Sequence, residues 1–218
     1  MNMIAQTKYI AVSAFATLLC AAISATAAAY PVSEKVRLVE FLPSGSPRAL
    51  PVHGLVVGSA DVRLGTTTLD RIQEELGDGV VRYRADTGRH VLCYTLPTPA
   101  GSQRLWFISQ DGPNSINLRV NAIQALESRS AVPSLDCPMP DASYTPLSFD
   151  DGLWLGEARQ KLIRQLGTPS EASDAKLSFV YDGSPGSLAM SSRPVGLVEA
   201  QISDGRVAAI VVSQRATR

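Results

Sequence analysis

An α+β fold of two tandem modules, each a short helical segment packed on a roughly four-stranded antiparallel sheet, is what the sequence predicts. Three observations carry that expectation. RLGTTTLDRIQEELGDG, residues 63–79, and LWLGEARQKLIRQLG, residues 153–167, each set a short helix between two Leu-Gly pairs, offset by 91 residues at the first pair and 90 at the second. Short runs of alternating apolar and polar residues, bounded by turn signals, follow both copies. An aromatic-bearing strand stands after each helix, Val91–Tyr94 in one and Phe179–Tyr181 in the other.

The elements follow in order. E-K-V-R-L-V-E-F-L-P alternates as a strand, and A-L-P-V-H-G-L-V-V-G gives a second apolar stretch bounded by Pro51 and Gly58. In the first helix Leu69, Ile72 and Leu76 form an apolar stripe. Thr66 or Thr67 is the expected N-cap, Thr67 with Asp70 approximates a capping box, and Gly77 is the expected left-handed C-cap. A helix of about ten residues cannot hold itself in water, so its stripe must be packed. Beyond it, two β runs flank A-D-T-G. R-L-W-F-I-S and I-N-L-R-V-N-A then flank a loop, the latter with Ile116, Leu118, Val120 and Ala122 on one face.

Residues 126–149 hold four prolines and five serines without a period and read as a connector between a first module, 30–125, and a second, 150–218. In the second helix Leu162, Ile163 and Leu166 face inward, Gly167 ends the helix and Pro169 prevents resumption. L-S-F-V-Y-D-G reads as a strand and S-L-A-M-S-S as a weak one. Asp204-Gly205 suits a type I′ hairpin turn. That turn would pair Ile202 with Val207, Ala200 with Ala209 and Val198 with Val211.

Residues 1–29 carry one charge, Lys8, then an apolar run and small residues, the layout of a secretory signal peptide cleaved before Ala28 or Tyr30. Cys20 follows Leu18 and Leu19, which does not suit lipoprotein processing. Of 20 basic residues one lies in the leader, leaving 19 against 20 acidic and a net charge of minus one. No basic stripe suggests nucleic acid as a partner, and no later run is long enough to span a bilayer. Of three cysteines two remain, Cys93 and Cys137, and an exported chain with an even count implies one disulfide. Export also implies a periplasmic or secreted protein.

The motifs of common chemistries are missing: there is no G-x-S-x-G, no phosphate loop and no EF-hand pattern. His53 has no local partner, and His90 sits beside a hairpin with Asp86 near it. Glu74 with Glu75 reads as a solvated helix face, and Asp150 with Asp151 as the approach to the second helix, where carboxylates favour the positive end. No catalytic residue, cofactor or metal is expected, although a hydrolase with a site assembled from distant residues would leave no local signature. Trp106, Tyr94 and Tyr181 are the candidate partner contacts, since large amphipathic side chains dominate interface hot spots. Trp106 and Phe107 point to opposite faces of one strand, and Trp154 is expected to be buried.

The doubled unit of L-G, short helix, L-G and aromatic-bearing strand resembles the module shared by the β-lactamase inhibitory proteins and the small outer-membrane-assembly lipoproteins of the SmpA/OmlA type. The resemblance covers residues 60–125 and 150–213. It implies a helical segment against one face of each sheet, the other face being free. In the inhibitors, two such modules present a concave surface to a partner protein. The chain departs from the lipoproteins in lacking a lipobox and having two copies, and from the inhibitors in having no cysteine in its second module. The function this suggests is that of an exported, non-enzymatic protein-binding module, an inhibitor or envelope accessory protein, with an envelope structural or assembly factor as the alternative.

Overall fold

The structure is a computed structural model that describes residues 50–99, 101–128, 132–150, 152–182 and 194–216. The leader, the strand expected at E-K-V-R-L-V-E-F-L-P and the weak strand S-L-A-M-S-S lie outside the described residues. The chain is mostly sheet. The described residues form two antiparallel sheets, of three and eight strands, and two short helices.

The small sheet was not anticipated. β1 (Gly54–Val57) turns into β2 (Ala60–Arg63) through Gly58, whose φ of 59° is left-handed, and β7 (Leu147–Phe149) pairs with the other edge of β1. The large sheet contains β3 (Arg82–Arg84), β4 (Arg89–Thr98), β5 (Gly101–Ser109), β6 (Ala122–Ser128), β8 (Glu171–Ala172), β9 (Lys176–Asp182), β10 (Pro194–Ser203) and β11 (Arg206–Ala216). Its order is β3-β4-β5-β6-β11-β10-β9-β8. Four strands therefore follow each helix, and the two sets meet where β6 pairs with β11.

Both helices span eight residues, α1 at Leu69–Leu76 and α2 at Arg159–Leu166. Leu69, Ile72 and Leu76 are buried from α1, Leu162 and Leu166 from α2, with Ile163 partly buried against the same core. The N-cap of α1 is Thr68, one residue later than expected, and its hydroxyl accepts the Arg71 amide. Thr67 instead accepts the Arg63 amide. α2 has Ala158 at its N-cap and no side-chain cap. The one-residue difference between the two segments precedes the helices: Thr68 lies three positions after Gly65, and Ala158 two after Gly156. Gly77 and Gly167 end the helices at φ 82° and ψ −163°, and φ 89° and ψ −154°. That is a region open to glycine alone, and not the left-handed helical cap expected.

A matching set of backbone bonds ties each helix entry to a neighbouring stretch, the residues just before β6 for α1 and the β10–β11 turn for α2. Gly65 N–H donates to the Val120 carbonyl, Val120 N–H to Thr67, and Leu69 N–H to Leu118. Gly156 N–H donates to Val207, Val207 N–H to Glu157, and Arg159 N–H to Gly205. The strand expected at Ile116–Ala122 is corrected here. Leu118 and Val120 are buried as their alternation implied, but the backbone around them pairs with the α1 entry, and Ile116 is 89 % exposed. β6 begins only at Ala122, and it takes in Leu126–Ser128 from the stretch read as connector.

The β10–β11 hairpin turns through Asp204 and Gly205, both at positive φ as a type I′ turn needs. Ile202 pairs with Val207, but an irregularity at Gln201 and Ile202 advances the register by one residue. Ala200 then faces Ile210 and Val198 faces Val212, so Val212 joins the core in place of Val211.

Candidate functional site

The large sheet divides its side chains sharply. Leu92, Tyr94, Leu105, Phe107, Ile123 and Ala125 on one half, and Leu177, Phe179, Tyr181, Val198, Ile210 and Val212 on the other, join α1, α2 and the small sheet in one apolar core. Strand alternation sends the intervening residues to the opposite face. No residue of that face belongs to the core cluster, although Cys93, Thr95, Ile108, Ala122, Gln124, Ser178, Ala209 and Ser213 on it are buried as well.

Of the expected partner contacts Trp106, Tyr94 and Tyr181, only Trp106 stands on this outward face. Tyr94 and Tyr181 are corrected by their burial. They point into the core, where the Tyr94 hydroxyl donates to the Gly77 carbonyl at 2.7 Å and the Tyr181 hydroxyl to the Leu166 carbonyl at 2.9 Å. Each satisfies a carbonyl orphaned at the C-terminal end of a helix. Burial pushes the Tyr94 hydroxyl up to about 12, with the nearby charges of Asp141 and Asp78 adding to the effect.

The outward face can be read in rows from the register. One row runs Val91, Ile108, Ala122, Ser213, Leu197, Val180 across six strands. The next runs Cys93, Trp106, Gln124, Val211, Glu199, Ser178, and a third Thr95, Arg104, Leu126, Ala209, Gln201, Lys176. A solvated antiparallel face is ordinarily polar. This one is apolar at every first-row position but Ser213 and carries a half-buried tryptophan in its second row. Ser178 and Arg104 also hold polar atoms, Oγ and Nε, that are buried without a hydrogen-bond partner.

Cys93 and Cys137 form a disulfide, which ties the connector to β4. Beyond the short β3, the β4 edge is closed by the same segment: the Thr95 amide donates to the Pro138 carbonyl and the Thr95 hydroxyl to the Cys137 carbonyl, both at 2.8 Å. An ion pair joins Arg82 to Asp136, and the connector continues past the end of α1, where Asp141 N–H donates to the Leu76 carbonyl.

The remaining chemistry-bearing residues have local partners. The His90 ring approaches the Gly112 carbonyl at 3.4 Å and the Tyr83 ring at 4.9 Å between centroids. Ser109, its cross-strand neighbour, donates to Asp111 and accepts the Asp111 amide, which closes a turn and directs its proton away from the imidazole. Glu74 and Glu75 both pair with Arg71 on the exposed side of α1. Asp150 does not serve the α2 entry: it binds Arg63 at 2.7 Å and accepts the His53 amide at 2.9 Å, bracing the small sheet. Trp154 is half-buried, stacked obliquely on Phe149 and donating to Gln103. Among the described residues no three His, Cys, Asp or Glu side chains are grouped to hold a metal ion, and no helix is long and apolar enough to cross a membrane. A shallow depression of about 390 Å³ before α1 is lined by Asp61, Thr66, Thr67, Thr68, Arg71 and Glu75.

Comparison with models of protein families, with curated proteins and with solved structures finds no match.

Proposed function

We propose that the chain is an exported two-module protein that binds another protein through the sheet face turned away from its helices. The observation that carries this reading is a group of half-buried apolar side chains on that face, Trp106, Val91, Leu197 and Val180, which lie outside the core cluster. The tandem reading is supported by the matched helix entries, the four strands after each helix, and the buried tyrosine that meets each helix end. This is the order that a resemblance to the β-lactamase inhibitory proteins implies. A periplasmic or secreted location is supported by the leader and by the Cys93–Cys137 disulfide.

Affinity capture with the mature chain from periplasmic and culture fluids tests the proposal. A partner retained by the wild type and by an α1-face variant such as Glu74→Ala, but lost by Trp106→Asp, is the expected result. A partner indifferent to Trp106, or no partner at all, would sink it.

A further inference from the structure

Arg104 precedes Trp106 by two residues on β5 and so shares the outward face. Thr95 and Leu126 flank it on the neighbouring strands. Its Nε is buried without a partner, and no hydrogen bond or ion pair engages the guanidinium among the described residues. Glu199, the carboxylate central to this face, stands three strands away on β10, about 14 Å at a strand spacing of ~4.8 Å. It is already paired with Lys176 at 3.4 Å. A guanidinium partly stripped of water costs free energy until an anion meets it, and its fork suits a carboxylate held in two bonds. Beside it the Trp106 indole N–H also has no partner among the described residues. Arginine and tryptophan are the residue types most enriched where interfaces concentrate their energy.

The sheet edges direct a partner to the face. β3 has three residues and β8 two, and the connector occupies the β4 edge at Thr95. Little ladder is left for an added strand.

The geometry points to a partner protein that presents a carboxylate ringed by apolar side chains, the carboxylate seating on Arg104 and the ring on Trp106 and Leu126. This rests on the proposed use of that face for binding. The apolar surroundings favour a protein side chain over a free anion, which would strand the tryptophan and leucine in water.

A random peptide library displayed on phage is selected on immobilised mature protein, and the binders are titrated against wild type, Arg104→Met, Arg104→Glu and Trp106→Ala, each first matched to wild type in circular dichroism. Arg104→Met keeps the aliphatic stem and removes only the charge and its donors. Binders are expected to carry Asp or Glu next to aliphatic or aromatic residues and to lose roughly thirtyfold in affinity on Arg104→Met. On Arg104→Glu the loss is larger, and exchanging the peptide's acid for lysine restores binding. Binders that lack an acid, or that ignore Arg104→Met, overturn the proposal; if they still weaken on Trp106→Ala, the face binds protein and only the carboxylate is wrong. Binders indifferent to both residues, or no binders, overturn both readings. Sedimentation equilibrium of the wild type showing a dimer that Arg104→Glu dissociates would assign the face to a second copy, and would overturn the proposal as well.

Discussion

Opening the Cys93–Cys137 disulfide changes the unfolded chain more than the folded one. The cysteines are 44 residues apart, and closing a loop of that size removes roughly 13 cal/mol/K from the unfolded ensemble, or about 4 kcal/mol at 25 °C. The folded contacts around the bridge are bonds in their own right: the Thr95 amide and hydroxyl donate to the Pro138 and Cys137 carbonyls, and Arg82 meets Asp136. Reduction of the wild type should therefore lower the unfolding free energy by about 4 kcal/mol, a fall in Tm of about 8 to 16 °C for a chain of this size. The double variant Cys93→Ala/Cys137→Ala should lose slightly more, because both sulfurs are buried and their removal also costs packing.

Urea unfolding followed by circular dichroism and by Trp106 and Trp154 fluorescence measures this, with and without reductant. The slope m should rise on reduction, since the unbridged unfolded chain exposes more surface. A loss below about 1 kcal/mol with an unchanged slope would refute the argument. It would mean that the unfolded chain is held compact by something other than the bridge.

Three further outcomes follow from the helix ends. Tyr94→Phe and Tyr181→Phe should each cost about 1 kcal/mol, because each removes the donor to a helix-terminal carbonyl while leaving the ring in place, and equal urea midpoints for variants and wild type would contradict that role. Gly77→Ala should cost about 1 to 3 kcal/mol, and more than Gly88→Ala: Gly77 has φ 82° with the Asp141 side chain where a Cβ would sit, whereas Gly88 has φ 66° and nothing within 4 Å. Because the Tyr94 hydroxyl is raised from 10.0 to about 12, its neutral form favours the fold. That contribution is complete below pH 10 and lost as the pH rises from about 10 to about 12. The urea midpoint of Tyr94→Phe should fall less steeply than that of wild type over this window, and parallel curves would show that the hydroxyl does not titrate with folding.

What the sequence made legible was the part fixed by local rules. Gly65, Gly77, Gly156 and Gly167 all sit at positive φ, where a side chain is costly, so a conformational need was written as a residue type. The helix stripes at Leu69, Ile72 and Leu76, and at Leu162, Ile163 and Leu166, were readable because burial imposes a period. Partners were less legible than burial. Leu118 and Val120 alternate because their side chains are buried, yet alternation says nothing about which backbone they meet: the Val120 amide meets Thr67 in the loop before α1, and the Leu118 carbonyl accepts from Leu69. In V-A-A-I-V-V, residues 207–212, nearly every position is apolar, so no alternation marks where the β11 register moves. β2 and β7, four and three residues long, are too short to show a period. Tyr94 and Tyr181 misled for a chemical reason: a side chain with an apolar body and a polar tip suits an interface and a core cap equally well.

The two faces of the large sheet carry different constraints, and the tandem reading makes the difference visible. Aligned on Tyr94 and Tyr181, the inward row Leu92, Phe107, Ile123 corresponds to Phe179, Val198, Val212. Apolar answers apolar at all three places, because both triplets are buried in the core. The outward row Cys93, Trp106, Gln124 corresponds to Val180, Leu197, Ser213, where polarity is matched but size is not and only the first row carries a disulfide. Folding constrains the inward row through the core, whereas the outward row is free to take whatever its contacts require. On the proposed function, then, the half holding Arg104 and Trp106 supplies specificity, and the half holding Val180 and Leu197 supplies apolar area. Leu197→Ala should weaken binding by less than Trp106→Ala although the two positions correspond on the tandem reading. Equal losses would mean that the partner uses the face symmetrically, and the assignment of specificity to the first half would fail.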